Sequence, residues 1–143
     1  MMSNANSILK AHNLKSTESR LTILAIFKKN MHALSYNDIE SLLTVKLDRV
    51  TVYRTLKSFE ENGLIHQIYD GSAQVKYALC HNGSCNSNQH KDSHAHFRCD
   101  KCDKTFCLSD VITPMADLPE GYQSKSQSVF IQGICKVCNH YKN

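Results

Sequence analysis

The chain has 143 residues, of which 41% are hydrophobic and 21% charged, and its formal net charge is +4. No run of about 18 apolar residues occurs, which excludes a membrane-spanning helix, and the first residues lack the pattern of a secretory signal. We therefore expect a cytoplasmic protein built as one compact domain or as two small ones.

The seven cysteines are unusual for a chain of this length. In a reducing compartment, thiols stay free to bind metal instead of pairing as disulfides, and an odd number leaves no complete disulfide pairing. The cysteines therefore indicate metal binding.

The charge is unevenly distributed along the chain. Residues 1–57 hold nine Lys and Arg against four Asp and Glu, whereas residues 58–143 hold eight against nine. The basic first part could contact the phosphates of a nucleic acid, and the Cys/His-rich second part could bind metal. A basic excess of this size is by itself more typical of an ordinary solvated surface, so the choice between this and nucleic-acid binding depends on the motifs.

The first part predicts three helices followed by a hairpin. "STESRLTILAIFKKN", capped by Ser16 or Thr17, and "LSYNDIESLL", capped by Ser35 and with Ile39, Leu42 and Leu43 on one face, read as two helices. "LDRVTVYRTLKSFEENG" reads as a third helix, from a cap at Asp48 to Gly63. "LIHQIYDGSAQVKYAL" then predicts two short strands around an Asp70-Gly71 turn. This is the winged-helix order, in which the last helix enters the major groove of DNA.

The third helix has an apolar face and an opposite polar face. Arginine and hydroxyl side chains on such a face can contact base edges and phosphates. An ordinary exposed helix face would have the same appearance, and the residues alone leave both interpretations open. The polar face and its edges comprise Thr51, Tyr53, Arg54, Lys57 and Ser58.

The second part contains two C-x-x-C pairs separated by 32 residues. "HAHFRCDKCDKTFCL" predicts two strands joined by a zinc-knuckle turn, and "YQSKSQSVFIQGICKVC" predicts a longer strand ending in a second knuckle. Four thiolates from two knuckles can close a tetrahedral zinc site, whereas a redox dithiol normally needs one motif at a helix N-terminus. We predict a structural zinc site formed by Cys99, Cys102, Cys135 and Cys138.

Two histidines precede the first knuckle and need a separate explanation. His94 and His96 are two residues apart on a predicted strand, so both imidazoles could reach one ion from the same face. Mixed nitrogen and sulfur ligands favour zinc, whereas carboxylate-rich sites suit iron or manganese. Further candidate ligands nearby in sequence are His66, Cys80, His81, Cys85, His90 and Cys107.

These motifs resemble the ferric uptake regulator family of bacterial metal-dependent repressors, over nearly the whole chain. "TVYRTLKSFEENGLI" looks like the family's recognition helix and wing, and "HAHFRCDKC" and "CKVC" resemble its metal-binding segments. The resemblance implies an α+β fold: a winged-helix DNA-binding domain at 1–80, a hinge at 81–93 and a small α/β metal-binding dimerisation domain at 94–143. It also implies a homodimer that binds palindromic double-stranded operator DNA, with no enzymatic activity, no small-molecule substrate and no membrane partner.

The resemblance also implies roles for individual residues. Tyr53 and Arg54 match base-contacting positions, Thr51 lies on the same DNA-binding helix, and Lys15 and Arg20 match basic positions that touch the backbone or minor groove.

Within the family, "GLIH" and "YALCH" look most like zinc uptake regulators. Iron and peroxide sensors carry carboxylates where this chain has Ala78 and Cys107, which argues against iron or manganese. The implied sensing ligands are His66, Cys80, His94 and His96, and Cys107 could join or replace a histidine.

The resulting hypothesis is a repressor of zinc-uptake genes with one structural and one regulatory zinc ion per chain. The alternative within the family is an iron-, manganese- or peroxide-responsive regulator. A zinc hydrolase or deaminase would need an open zinc position and a nearby glutamate, as in H-x-E with P-C-x-x-C, and neither pattern occurs. A zinc-ribbon interaction module without DNA binding is disfavoured by the basic third helix.

Overall fold

The structure is a computed structural model that describes residues 2–80, 94–112, 114–125 and 127–140. The chain divides into two compact units, Met1–His90 and Lys91–Asn143. The predicted hinge at 81–93 lies outside the described residues, and with it His81, Cys85 and His90.

The described residues of the first unit form four helices and three strands: α1 (Met2–Ala11), α2 (Glu18–Lys29), β1 (Leu34–Ser35), α3 (Tyr36–Leu42), α4 (Arg49–Glu61), β2 (Ile65–Ile68) and β3 (Lys76–Leu79). The strands form an antiparallel sheet of order β1-β3-β2. The helices α2, α3 and α4, followed by the β2–β3 hairpin, confirm the predicted winged-helix fold. The helix α1 and the strand β1 were not predicted.

Local capping interactions set the ends of these helices where the sequence predicted them. Thr17 caps α2, and Ser35 forms a full capping box with Asp38 at the start of α3. Asp48 caps α4, and Gly63 follows the end of this helix with a φ of 74°, a conformation that glycine adopts without steric cost.

The core of the first unit lies where the apolar faces of its helices meet the sheet. Leu42 was expected on the core face of α3 beside Ile39, but it is 41% exposed. It is the last residue of that helix, so no following helical turn covers it. The buried side chains of this core include Leu9, Ile23, Leu24, Phe27, Ile39, Val52, Leu56, Phe59 and Ile65.

The wing turn is longer than predicted. The strands end at Ile68 and resume at Lys76, so residues 69–75 connect them instead of a tight Asp-Gly turn. Asp70 Oδ1 accepts a hydrogen bond of 2.9 Å from the backbone N–H of Ser72, and Asp70 Oδ2 lies 2.6 Å from Lys76 Nζ. The aspartate side chain therefore turns the chain locally, and a two-residue hairpin loop is not needed.

The second unit contains the strands β4 (His94–Cys99), β5 (Thr105–Ile112) and β6 (Val129–Gly133), and a short helix α5 (Lys136–His140) follows β6. Strand β4 pairs antiparallel with β5 and parallel with β6, which gives a three-stranded sheet of order β5-β4-β6. The two strands flanking the first knuckle are confirmed. The expectation of a longer last strand is wrong, because β6 has five residues and the polar run before it offers no apolar side chains to bury.

The described residues of the connection between β5 and β6, 114–125 and 127–128, contain no helix. Gln127 Nε2 donates to the carbonyl oxygen of Pro114 at 2.8 Å, and Gln127 Oε1 accepts from the N–H of Ala116 at 2.7 Å. Across the described part of the chain, no helix combines the length and the apolar character that crossing a membrane requires.

Candidate metal centres and DNA-recognition surface

The four knuckle cysteines form one cluster in the second unit. Their sulfur atoms all lie within 4.8 Å of one another, and Cys102 Sγ lies 3.9 Å from Cys135 Sγ. A tetrahedral site with metal–sulfur bonds of ~2.3 Å has sulfur–sulfur edges of ~3.8 Å. The arrangement of Cys99, Cys102, Cys135 and Cys138 is therefore compatible with a tetrahedral zinc site.

The sheet register brings the two C-x-x-C pairs together. Because β4 and β6 are parallel, Cys99 at the end of β4 lies opposite Gly133 at the end of β6, two residues before Cys135. Asp103, with a φ of 64°, turns the chain back into β5. The first pair lies in the turn between β4 and β5, whereas in the second pair Cys135 precedes the short helix α5 and Cys138 lies on it.

The cluster shifts the pKa values of two of its thiols in opposite directions. Burial raises the pKa of the Cys99 thiol, but the N–H groups of Cys102, Cys135 and Lys101 donate to its sulfur and lower the pKa to about 6. Burial, together with hydrogen bonds to the other three thiols, raises the pKa of Cys138 to about 12. Thiolate ligation by Cys138 therefore needs a compensating cation, as a bound zinc ion would be.

Two candidate ligands for a second metal ion lie together in the wing of the first unit. His66 on β2 is buried, and its Nδ1 lies 3.4 Å from the Sγ of Cys80, which follows β3. The backbone N–H of Cys80 donates to the carbonyl oxygen of Leu64 and fixes the cysteine beside β2. The structure thus brings together two of the predicted sensing residues.

The second unit holds another such pair. His96 on β4 and Cys107 on β5 are directly paired across the antiparallel strands, and their ligand atoms lie within 4.8 Å of each other. Paired residues of adjacent strands project from the same face of the sheet. His94 begins β4 opposite Ile112, next to a register shift, and its side chain lies outside the description, so its shared face with His96 stays a prediction.

The predicted DNA-contacting residues of α4 are accessible to different degrees. Arg54 is exposed, Tyr53 is 48% exposed, and Thr51 is half-buried. A hydrogen bond with the Thr51 side chain lowers the pKa of the Asp48 carboxyl, which caps the helix. Thr51 therefore also serves the cap of its own helix.

Lys15 and Arg20, the two predicted DNA-contacting residues outside α4, are hydrogen-bonded to each other. Arg20 Nη1 donates to the backbone carbonyl oxygen of Lys15 at 3.0 Å, and Arg20 Nη2 donates to Ser58 Oγ on α4 at 3.4 Å. Arg20 therefore fixes the loop of Lys15 beside α4, while Lys15 itself is exposed.

An aromatic contact on this surface was missed by sequence reasoning. The rings of Tyr53 and Tyr36 stack with centroids 4.4 Å apart and planes 8° apart, and Arg49 Cζ lies 5.6 Å from the Tyr36 centroid. No spacing in the sequence relates position 36 to position 53, so periodicity carries no signal of this contact.

A winged helix followed by a small sheet unit with a four-cysteine cluster is the architecture of a DNA-binding metalloprotein. Residues 11–132 match the sequence model of the Ferric uptake regulator family. The chain belongs to this family.

The similar proteins include regulators named for ferric uptake and regulators named for zinc uptake. The chain is 30% identical to the ferric uptake regulation protein of Haemophilus influenzae, over 97% of this chain and 95% of that protein. It is 27% identical to the zinc uptake regulation protein of Escherichia coli, over 96% of this chain and 81% of that protein. A solved zinc uptake regulator complexed with zinc and DNA shares the fold, with a TM-score of 0.65 and 22% identity over 97% of this chain and 93% of that one.

Membership of the family settles the general activity. The protein is a metal-responsive, DNA-binding transcriptional regulator. Which metal it senses depends on the residues of its own sites.

Proposed function

We propose that the protein is a zinc-responsive repressor that binds palindromic operator DNA when zinc-loaded and represses zinc-uptake genes. The observation that carries the proposal is the chemistry of the two side-chain pairs, His66 with Cys80 and His96 with Cys107. Each pair offers one imidazole and one thiol and no carboxylate. Nitrogen and sulfur ligands of this kind select zinc over iron or manganese.

Two zinc ions per chain would have different roles. The tetrathiolate cluster would hold a permanent ion, because a closed set of four thiolates leaves no exchangeable position. The regulatory ion would be bound by His66, Cys80, His94 and His96, and Cys107 could join or replace a histidine.

The regulatory ion would link zinc concentration to DNA binding. Two of its proposed ligands belong to the first unit and the others to the second, so zinc would favour whichever arrangement of the units lets all of them bind. DNA affinity would follow zinc if that arrangement is also the one that binds the operator.

The proposed DNA contacts lie on α4 and beside it. Helix α4 would enter the major groove, where Tyr53 and Arg54 would contact bases and Thr51 lies on the same polar face. Lys15 and Arg20 would contact the DNA backbone or the minor groove. A homodimer presents this helix twice, which matches a palindromic site with half-sites about 34 Å apart.

The second candidate function is an iron-, manganese- or peroxide-responsive regulator. The similarity at 30% identity to a protein named for ferric uptake is the observation that favours it. Replacement of zinc by Fe²⁺ or Mn²⁺ in an operator-binding measurement distinguishes the two.

The variant Cys80→Ser tests the proposed sensing site. A serine hydroxyl is a poor zinc ligand, so we expect zinc-induced operator binding to weaken by about 100-fold or more, given that even outer-shell changes reduce metal affinity ~10- to 100-fold. Operator affinity is measured by gel shift across a range of free zinc. Tightly bound zinc in the same sample serves as the control, since the tetrathiolate is untouched. An unaltered zinc response in the variant would show that the assignment of Cys80 is wrong.

A further inference from the structure

The exposed face of α4 carries an aromatic stack that the proposed DNA contacts do not explain. Tyr53, on α4, stacks on Tyr36, the first residue of α3, with a centroid distance of 4.4 Å and nearly parallel planes. Arg49 lies one helical turn before Tyr53, and its Cζ is 5.6 Å from the Tyr36 ring centroid. Both distances are within the ranges of favourable aromatic and cation–π contacts.

Tyr36 is held firmly by its surroundings. The preceding residue, Ser35, is buried and pairs with Lys76 in the sheet. Ser35 Oγ also accepts a hydrogen bond of 3.1 Å from the Asp38 N–H, while the Ser35 N–H donates to Asp38 Oδ2 at 2.9 Å. The half-buried Tyr36 ring packs against the core of the first unit. Its position is therefore fixed before DNA binds.

Tyr53 lacks such support from its own helix. It is 48% exposed, and a tyrosine at an exposed helix position has two accessible χ1 rotamers. Stacking on a fixed ring favours one of them. The exposed half of the Tyr53 side chain is then presented in a single orientation, at the surface that would face the bases.

We propose that Tyr36 is a positioning residue that sets the sequence specificity of DNA recognition by holding the Tyr53 ring in its binding orientation. This inference rests on the proposed function, because it requires Tyr53 to contact base edges. Ordering a side chain during association opposes binding, and the stack removes that cost for Tyr53. The proposed phosphate contacts belong to other residues, so Tyr36 should influence operator binding more than binding to unrelated DNA.

The test compares Tyr36→Leu with Tyr36→Phe in the full-length, zinc-loaded protein. An operator duplex is first selected from a random library with the unmodified protein, and affinities for this duplex and for a scrambled duplex are measured at several salt concentrations. We expect Tyr36→Leu to lower the ratio of the two affinities by about fivefold to tenfold, since an aromatic stack and a preordered rotamer are both lost. The salt dependence should not change, because no charge is removed.

Two controls separate positioning from a general loss of folding. Tyr36→Phe keeps a ring that can stack and should retain the ratio, and Tyr122→Leu alters an exposed tyrosine of the second unit and should have no effect. In a double-mutant cycle, Tyr36→Leu should lower the affinity ratio little further in the Tyr53→Leu background, because Tyr36 acts through Tyr53.

Four results would overturn the inference. An unchanged affinity ratio in Tyr36→Leu would show that Tyr36 does not influence specificity. An equal loss on both duplexes, or additive effects in the cycle, would assign Tyr36 a purely structural role. If the unmodified protein selects no sequence at all, the proposed function itself is wrong and the inference falls with it.

Discussion

Asp70 and Lys76 form the wing's most enclosed charged pair among the described residues. The Asp70 side chain is fully buried, that of Lys76 is 13% exposed, and their charged atoms lie 2.6 Å apart. A buried carboxylate is stable only when it is paired, because taking an ion out of water is costly. The shape of the wing therefore depends on this pair.

Replacing Lys76 with methionine should destabilise the protein by about 3 kcal/mol, because the variant leaves Asp70 buried without its cation. The free energy of unfolding is measured in urea with zinc present. Lys46→Met, at an exposed lysine, is the matched control and should change stability by less than about 0.5 kcal/mol. Equal losses in the two variants would contradict the account of the wing.

At the scale of residues, the sequence predicted which element a residue belongs to better than it predicted the residue's burial and contacts. Asp70 was correctly placed in a turn, because Asp-Gly is a strong local turn signal. Its burial was not predictable, since it depends on Lys76, which lies six residues further along the chain. The Tyr36–Tyr53 stack escaped prediction for the same reason.

At the scale of elements, helix ends followed from short-range chemistry. The caps at Ser35 and Asp48 and the glycine at position 63 act within one helical turn, so the sequence alone predicts them. Strand β1 has two residues and exists through its pairing with Tyr77 and Lys76, which no local pattern encodes. Tertiary contacts, and not propensity, define such elements.

Replacing Cys135 with serine should unfold the second unit. The variant removes one of four thiolate ligands, and structural zinc sites of this kind contribute ~10 kcal/mol or more to folding. Circular dichroism and bound zinc per chain are the measurements. Cys107→Ser is the matched control, because Cys107 lies outside the tetrathiolate, and it should keep the tightly bound ion. A Cys135→Ser protein that retains both its fold and its tight zinc would show that the cluster is not a structural metal site.

At the scale of the whole molecule, the two metal predictions rested on different grounds. The tetrathiolate followed from the spacing of two C-x-x-C pairs, and the parallel pairing of β4 and β6 explains why those pairs meet. The sensing ligands followed from resemblance to the family, and the structure adds that His66 lies beside Cys80 and His96 beside Cys107. The choice between zinc and iron is therefore a matter of ligand chemistry that fold comparison does not decide.

The most direct test of zinc sensing is the metal content per chain before and after dialysis against a moderate chelator, paired with operator binding of the same samples. The account predicts two zinc ions per chain falling to one, with loss of operator binding that added zinc restores. One zinc ion throughout, with DNA binding restored by Fe²⁺ or Mn²⁺ and not by zinc, would contradict it and assign the protein to the iron- or manganese-responsive members of the family.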